Sequence, residues 1–435
     1  MTTLPRWPAG FIAAVALLAT QVHAATPARF AFGAGAAPVG YTQVAPSTTY
    51  TPERGYGFEP GTQSGARYFS VDLPEGNYAV TVALGSDTAP SSTTVKSELR
   101  RLMLENVPAA AGQTVLRTFI VNVRTPRIAA VPGVAPGEVK LKAPREVETE
   151  AWNWDTRLTL EFNGEQNAVR RVSIVPARVP TLFLLGDSTV SDQPGEPYNS
   201  WGQMLPRLFG PAVAVANHAQ SGETYRDSLA RRRIDKILSA MLPGDVLLMQ
   251  FGHNDQKQAK DGTSGPFTTY KAEIKTHVDA VRARGGLPVI VSPVERRAFD
   301  AAGAFKPSLL DYAEAARQSA RELGVPFIDL NAMSQALYVA LGVEGSKAAF
   351  ATSTAGKLDN THHSPYGSYL MAKAVALGMR QADVPLARHL VPDFRFDPGH
   401  PDPVTAFTVP PSPGRTQARP LGDDGKRDDR PGAAR

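Results

Sequence analysis

The chain has 435 residues, of which 42% are hydrophobic and 20% are charged. This composition supplies a sizeable core and excludes a globally disordered protein, and the length is sufficient for two domains. The formal charge of +5 is spread along the chain, apart from three arginines at 231–233, so we expect no nucleic-acid partner. The absence of cysteine excludes disulfides, thiolate chemistry and Cys-based zinc sites.

The first 24 residues have the pattern of a secretory signal peptide. Arg6 precedes an apolar run at 11–19, and Val22 and Ala24 supply small residues at positions −3 and −1 of a cleavage site. The run is shorter than the ~20 residues that a membrane-spanning helix needs. We therefore predict cleavage after residue 24 and an exported protein, periplasmic or extracellular, that has no membrane partner once the peptide is removed.

Residues 28–177 are predicted to form an all-β accessory domain. The stretches 68–73, 78–84 and 116–123 alternate apolar and polar residues, which is typical of half-buried strands. Short strands separated by turn-forming residues indicate a β-sandwich. An Asn-Gly pair at 163–164, between two further strand-like runs, also predicts a local hairpin there.

Aromatic residues in this first domain allow two interpretations. Tyr41, Tyr56, Phe58, Trp152 and Trp154 lie in or near its predicted loops. Exposed aromatic rings stack on sugars, so they could form a carbohydrate-binding face. The favoured alternative is that they fill the small sandwich core, because Tyr and Trp side chains are often mostly buried with one polar end wet.

Residues 180–390 are predicted to form an α/β domain. Near-continuous apolar strands separated by amphipathic helices indicate a parallel sheet covered on both faces, a three-layer arrangement with flavodoxin-like winding. The predicted strands are 181–186, 213–218, 245–251, 287–292 and 325–330. The predicted helices lie near 200–209, 225–240, 267–284, 308–323 and 365–381, the last of them after a loop at Asp359. Residues 410–435 are rich in Pro, Gly and charge and are predicted to be a disordered tail.

Ser188 directly follows the first strand of the α/β domain, in Gly-Asp-Ser at 186–188. A serine at the carboxyl end of a parallel strand lies where ligands bind. The motif alone also fits an ordinary strand-to-helix turn capped by Ser or Asp. Three more polar loops can reach the same edge of the sheet and favour the catalytic interpretation. They are Asn-His-Ala-Gln-Ser-Gly at 217–222, Gly-His-Asn-Asp at 252–255 and Asp-Asn-Thr-His at 359–362.

These four blocks, in this order, resemble those of the SGNH (GDSL) hydrolases. Their details are most similar to the rhamnogalacturonan acetylesterase branch, and the resemblance covers about 180–385. A β-domain ahead of the hydrolase domain resembles the accessory domain of some bacterial members. The resemblance implies a serine esterase that works through an acyl-enzyme and needs no cofactor.

The resemblance also implies roles for individual residues. Ser188 would be the nucleophile, His362 the general base, and Asp359 the group that orients the imidazole and stabilises its cation. The backbone N–H groups of Ser188 and Gly222 and the side-chain amide of Asn254 would form the oxyanion hole.

Several neighbouring side chains need separate interpretation. His363 could also be the base, but the Asp-x-x-His spacing favours His362. His253 and Asp255 are predicted to brace the loop around them. A metal site built from these histidines and Asp255 is conceivable, but no metal-binding spacing supports it, so we predict no metal.

Three arginines are candidate contacts for an acidic substrate. Arg226, Arg296 and Arg297 lie just beyond predicted strands near the site. An acetylated galacturonic-acid polymer carries carboxylates, which guanidinium groups can bind bidentately. Ordinary surface charge is the alternative interpretation for all three.

Two functions of different classes fit the sequence. The leading hypothesis is an exported esterase that removes acetyl groups from acetylated pectic polysaccharide; another SGNH activity, on xylan, other carbohydrates or lipids, is the runner-up. Polar loops at 189–199 and 255–266 favour a sugar over a lipid. The second class is a catalytically silent glycan-binding protein, which the presence of all the expected catalytic residues disfavours. The sequence predicts no oligomeric state.

Overall fold

The computed structural model describes residues 27–33, 35–60, 66–259 and 263–413. The predicted signal peptide and the tail beyond 413 lie outside the described residues. In the part of the chain that is described, no helix has both the length and the apolar character to cross a bilayer.

The first part of the described chain is all-β, as predicted. Its strands are β1 (Ala28–Phe32), β2 (Thr42–Val44), β3 (Tyr56–Phe58), β4 (Ala66–Asp72), β5 (Gly76–Leu84), β6 (Ser91–Ser97), β7 (Arg101–Ala109), β8 (Val115–Val123), β9 (Arg127–Ile128), β10 (Gly137–Glu138), β11 (Arg157–Asn163) and β12 (Val169–Pro176). The larger sheets have the orders β2-β1-β12-β5-β8 and β3-β4-β11-β6-β7.

The predicted hairpin at 163–164 is wrong. β11 pairs with β4 and β6, whereas β12 pairs with β1 and β5 in the other sheet. The Asn-Gly turn therefore carries the chain from one sheet to the other, which its local sequence does not reveal. Side chains from both sheets, among them Phe69, Val82 and Leu160, fill a common core between them.

The aromatic residues considered above are mostly packed inside. Phe58, Trp152 and Trp154 are each at most 8% exposed, and the Tyr56 ring lies 5.0 Å from that of Phe30. Trp154 belongs to a core cluster of the α/β domain rather than to the sandwich. Core packing therefore accounts for these four aromatics, while Tyr41 remains partly exposed.

The second part is an α/β domain around a parallel sheet of order β14-β13-β15-β16-β17. This is the flavodoxin-like order, in which the chain winds outward in both directions from the first strand. Its elements are β13 (Thr181–Gly186), α1 (Trp201–Met204), β14 (Ala214–Asn217), α2 (Tyr225–Ala230), α3 (Arg233–Ala240), β15 (Val246–Gln250), α4 (Lys271–Ala283), β16 (Leu287–Val291), α5 (Leu310–Leu323), β17 (Phe327–Ile328), α6 (Leu330–Gly345), β18 (Phe350–Thr352), β19 (Leu358–His363) and α7 (Pro365–Gln381).

The helix predicted over 225–240 is broken into α2 and α3. Arg232 has a φ of 61°, in the left-handed region, so the helix cannot continue through it. Arg233, at the start of α3, is fully buried and forms ion pairs with Glu146 and Glu223 at 2.6 Å each. Because of this break, the side chain of Arg233 lies in the protein interior.

The sandwich and the α/β domain share a polar, buried contact. The turn between β6 and β7 enters it: Gln203 Nε2 donates to Leu99 O at 2.7 Å, and Arg100 Nη1 donates to Tyr198 O at 2.9 Å. Arg101 pairs with Asp192 at 2.7 Å, and both side chains are at most 2% exposed. Buried charges need such partners, so these bonds fix how the two parts pack.

The chain after α7 returns to the sandwich. Lys96 Nζ donates to Pro410 O at 2.8 Å and to Ser412 Oγ at 2.7 Å, and Ser412 Oγ donates to Glu161 Oε2 at 2.8 Å. Residues 410–413, the start of the predicted tail, are thus held against β6 and β11.

Candidate active site

Ser188 lies in the tight turn after β13, where the sheet changes winding direction. The adjacent Asp187 shapes the turn, because its carboxylate accepts hydrogen bonds from Thr189 N and Oγ1 at 3.0 and 2.8 Å. Gly186 is required by crowding, since a Cβ there would lie 2.5 Å from Gln250 O. The sequence Gly-Asp-Ser thus places the hydroxyl at the carboxyl edge of the sheet.

Hydrogen bonds join Ser188, His362 and Asp359 in a chain. His362 Nε2 lies 3.0 Å from Ser188 Oγ, and His362 Nδ1 lies 3.0 Å from Asp359 Oδ2. A carboxylate can only accept, so Nδ1 carries a proton, and Nε2 of the neutral ring can accept the serine proton. Burial would raise the pKa of Asp359, but the hydrogen bond and charge of His362 outweigh it and hold that pKa well below its ordinary value.

Asp359 and His362 lie on the short strand β19, not in the predicted loop. β19 pairs with β18, and Arg297 N donates to Asn360 O at 2.8 Å. Asp359 Oδ1 also accepts from Thr361 N and His362 N at 2.8 and 3.0 Å. The polar sequence suggested a loop, whereas pairing across a short antiparallel ladder stabilises an extended segment.

The neighbouring histidines make other contacts. His363 Nε2 lies 2.8 Å from Tyr338 OH, and burial, aided by the charge of His362, lowers the pKa of His363 to about 3. His253 Nδ1 lies 3.3 Å from Asp187 Oδ2. Burial tends to raise the pKa of Asp187, but the charge and hydrogen bond of His253 bring it below its ordinary value. Of these three histidines, His362 forms the hydrogen bond with Ser188 Oγ.

The contacts of Asp255 bear both on its predicted bracing role and on the alternative of a metal site. Asp255 Oδ1 accepts from Tyr225 N at 3.3 Å, and burial raises the pKa of Asp255 well above its usual range. Among the described residues, no group of three or more His, Asp or Glu side chains is arranged to hold a metal ion.

The loops that carry Gly222 and Asn254 are bonded to each other. Asn254 Nδ2 donates to Glu223 O at 3.1 Å, and Gly222 has a φ of 77°, which favours glycine. Within the described residues, the backbone N–H groups of Ser188 and Gly222 donate to no protein acceptor. Both amides can therefore donate to an oxygen that is not part of the protein.

A glutamine that the sequence did not single out holds the backbone of Ser188. Gln193 Nε2 donates to Ser188 O at 2.8 Å, and its Oε1 accepts from Arg145 Nη2 at 3.2 Å. Gln193 is 1% exposed. Its position, five residues after the serine in a polar loop, carries no recognisable signal.

Two further buried residues hold the loop before Gly222. Lys142 Nζ donates to Ser221 O at 2.6 Å, and Gln220 Nε2 donates to Glu150 Oε2 at 2.7 Å. Lys142 and Glu150 are each 1% exposed. They come from a non-repetitive segment, 79 and 70 residues upstream of their partners in sequence, so no local pattern could have linked them to the site.

The three candidate arginines lie in different surroundings. Arg226 is half exposed and pairs with Glu273 at 2.9 Å. Arg296 Nη1 donates to Gln256 Oε1 at 3.0 Å, and Nη2 donates to the backbone oxygen of His253 at 3.4 Å.

Arg297 Nε donates to Ser346 Oγ at 2.9 Å, at the end of α6. Its guanidinium is therefore engaged away from Ser188, and only its backbone N–H holds the strand of Asp359. Of the three side chains, that of Arg296 contacts the loop of Asn254.

A hydrogen-bonded serine, histidine and carboxylate at the switch point of a five-stranded parallel sheet form the arrangement that serine hydrolases use. The profile of the GDSL-like lipase/acylhydrolase family matches residues 184–360. Rhamnogalacturonan acetylesterase RhgT of Bacillus subtilis is 40% identical over 220 residues, which make up 48% of this chain and 94% of RhgT. The chain belongs to the GDSL-like lipase/acylhydrolase family and is a carboxylic ester hydrolase.

Two other proteins of Bacillus subtilis are similar to parts of the chain. Probable rhamnogalacturonan acetylesterase YesY is 33% identical over 213 residues, 48% of this chain and 97% of YesY. The uncharacterized esterase YxiM is 27% identical over 358 residues, 74% of this chain and 85% of YxiM. The crystal structure of YxiM covers 82% of this chain and 99% of its own, with a TM-score of 0.46 and 23% identity.

Proposed function

We propose that this protein is an acetylesterase that removes acetyl groups from rhamnogalacturonan, a pectic polysaccharide, with Ser188, His362 and Asp359 as its catalytic triad. The observation that carries the proposal is the hydrogen-bonded chain from Ser188 Oγ through both ring nitrogens of His362 to Asp359, with both distances at 3.0 Å. The direction of these hydrogen bonds, with Nδ1 of His362 donating to Asp359 and Nε2 accepting from Ser188, fits general-base activation of a hydroxyl nucleophile.

In the first half-reaction, Ser188 Oγ attacks the acetyl carbonyl carbon while its proton moves to His362 Nε2. The carbonyl oxygen becomes an oxyanion, and the imidazolium is stabilised by the Asp359 carboxylate. His362 then gives this proton to the sugar oxygen as the ester C–O bond breaks. The products are a free sugar hydroxyl and an acetyl group on Ser188.

The oxyanion is stabilised by donors that need no rearrangement. The N–H groups of Ser188 and Gly222 and the second hydrogen of the Asn254 amide would donate to it. Fixed hydrogen-bond donors stabilise an oxyanion more strongly in a buried site than in water. Removing one such donor from a hydrolase typically lowers kcat by ~10²–10³-fold.

In the second half-reaction, His362 removes a proton from water, which attacks the acetyl-enzyme carbonyl. The second tetrahedral intermediate uses the same donors. It collapses as His362 returns the proton to Ser188 Oγ, and acetate leaves. The enzyme is restored without a cofactor.

Two observations support the carbohydrate acetyl ester as substrate. RhgT and YesY, whose names specify rhamnogalacturonan acetylesterases, match this chain over 94% and 97% of their own lengths. Arg296, beside the Asn254 loop, is the best-placed of the three arginines to approach a substrate carboxylate.

The test compares wild type with Ser188→Ala on p-nitrophenyl acetate, acetylated rhamnogalacturonan and acetylated xylan. Ser319→Ala is a matched control, because Ser319 is also buried and its hydroxyl donates to Ala315 O within α5. We expect Ser188→Ala alone to lose activity and wild type to prefer rhamnogalacturonan. Equal rates on the two polysaccharides would remove the pectin assignment, and activity in Ser188→Ala would remove the nucleophile.

Export and domain organisation are part of the proposal. The charged, apolar and small-residue regions of residues 1–24 support cleavage by signal peptidase and a periplasmic or extracellular location. The sandwich would occupy 28–177 and the hydrolase domain 180–390. Amino-terminal sequencing of exported protein should begin at Ala25, and recovery of the intact chain from the cytoplasm alone would contradict export.

A further inference from the structure

A crevice lies between the sandwich and the α/β domain. It has a volume of about 210 Å³ and is lined by residues of both, among them Glu75, Asn77, Asn122, Arg124, His218 and Lys236. One water occupies ~30 Å³, so the crevice can hold a small oxyanion together with several waters. These residues are separate from the proposed triad.

Arg124, which immediately follows β8, is the unusual member of this set. It is 4% exposed, and its Nε and Nη1 atoms are buried without a hydrogen-bond partner among the described residues. The guanidinium lies 4.6 Å from the centre of the Trp154 ring. Stacking on a ring satisfies none of its N–H donors, and a buried arginine with unused donors is rare in folded proteins.

The carboxylates around Arg124 are already committed to other cations. Asp192 pairs with Arg101 at 2.7 Å, and Glu75 pairs with Lys236 at 2.6 Å. Burial raises the pKa of Glu98 well above its ordinary value, which disfavours its charged form. Asp192 and Glu98 act on Arg124 only through their charge, and within the described residues no carboxylate forms an ion pair or hydrogen bond with it.

The remaining walls of the crevice are suited to an anion. His218 is 2% exposed and its Nδ1 has no partner among the described residues. Burial and then the positive charges of Arg124 and Lys236 lower the pKa of His218 well below its ordinary value. Burial and then Arg101 lower the pKa of Arg124 to about 9, so Arg124 stays charged at neutral pH. The pairing of Glu75 with Lys236 leaves Arg124 as a cation of the crevice without an ion-pair partner among the described residues.

We propose that this crevice binds a small oxyanion, whose oxygens accept hydrogen bonds from Arg124 and His218 and neutralise the buried guanidinium. A guanidinium binds carboxylate, phosphate and sulfate through the same fork of N–H groups. The site joins β8 of the sandwich to the loop after β14, so a bound anion stabilises the contact between the two domains.

The test measures thermal unfolding and calorimetric binding for the full chain at constant ionic strength. Phosphate, sulfate, acetate and galacturonate are titrated separately, which distinguishes an inorganic anion from a carboxylate. Arg124→Met removes the guanidinium, and Arg117→Met is the control, because Arg117 lies on β8, the strand that Arg124 follows, but is exposed.

For wild type and Arg117→Met we expect saturable binding of at least one oxyanion and a rise in Tm of about 3–6 °C at saturation. Arg124→Met should lose both effects. No saturable effect in wild type, or an equal effect in Arg124→Met, would overturn the site. If Arg124→Met does not fold, the anion affinity of Arg124→Lys is measured instead. An affinity at least ~10-fold weaker than that of wild type supports binding by the guanidinium fork, and an unchanged affinity contradicts it.

Discussion

Lys142 Nζ donates a 2.6 Å hydrogen bond to the backbone oxygen of Ser221, immediately before Gly222. The lysine precedes the α/β domain in sequence, yet its side chain is buried against the loop of the proposed oxyanion hole. The segment between β10 and β11, within the all-β part of the chain, therefore positions the site.

Lys142→Met should lower kcat by roughly 10–100-fold while changing KM much less. A charge-assisted hydrogen bond is worth about 1.5–3 kcal/mol, and its loss leaves Ser221 O without this donor and the Gly222 amide less well fixed. Steady-state kinetics on p-nitrophenyl acetate, with Tm measured in parallel, provide the check. Lys140→Met, two residues away and exposed, is the control and should behave as wild type.

His362→Gln should chiefly lower kcat, whereas His363→Gln should chiefly lower stability. The first removes the group that contacts Ser188 Oγ and should reduce kcat by about 10³-fold or more. The second removes a hydrogen bond to Tyr338 and should chiefly lower stability, with kcat within about tenfold of wild type. A large loss of kcat in His363→Gln, with activity retained in His362→Gln, would reverse the assignment of the base.

Asn254→Ala should reduce kcat by ~10²–10³ if its amide donates to the oxyanion. Part of any loss could arise from the broken bond to Glu223 O, so the affinity for a boronic-acid transition-state analogue is measured beside the affinity for the product acetate. The analogue should bind far more weakly to the variant, with acetate nearly unaffected. Equal weakening of both would indicate a structural role.

The buried His277 should cause the free energy of unfolding to decrease as the pH falls. Its Nδ1 donates to Glu273 O at 2.7 Å, and its Nε2 lies 2.6 Å from Ser228 Oγ. Burial lowers the pKa of His277 to about 4, below the ~6.5 of an unfolded histidine. The unfolded chain therefore binds more protons between these values, and this histidine's contribution is complete above pH ~6.5 and lost as pH falls towards 4.

Urea unfolding between pH 8 and pH 4.5 tests this directly. The expected slope from one such group is about 1.4 kcal/mol per pH unit. His277→Gln should remove that component, while His400→Gln should not, because the His400 side chain is 88% exposed. An unchanged slope in His277→Gln would contradict the role of this residue.

The sequence predicted the parts of the structure that depend on local pattern. The runs that became β13 to β17 are continuously apolar because helices cover both faces of the sheet, and Ser188 follows the first of them at a turn that needs Gly186. The contact between Asp359 and His362 could be expected from their spacing, whereas the strand that carries them depends on pairing with β18.

Contacts between residues distant in sequence could not be predicted from local patterns. The Asn-Gly turn at 163–164 looks like a hairpin, yet it crosses between sheets because β11 and β12 each find other partners. Nothing around Lys142 or Arg124 distinguishes a buried cation from a surface one. Their roles arise only when two separately patterned domains pack together.

Trapping the covalent intermediate tests the central claim most directly. Wild type is mixed with excess p-nitrophenyl acetate, whose good leaving group favours accumulation of an acyl-enzyme, then quenched in acid, digested and analysed by mass spectrometry. We predict one burst equivalent of nitrophenolate and a single acetyl group on the peptide containing Ser188, both absent in Ser188→Ala. An acetyl group on a different residue, or turnover that persists in Ser188→Ala, would contradict the assignment of Ser188 as the nucleophile.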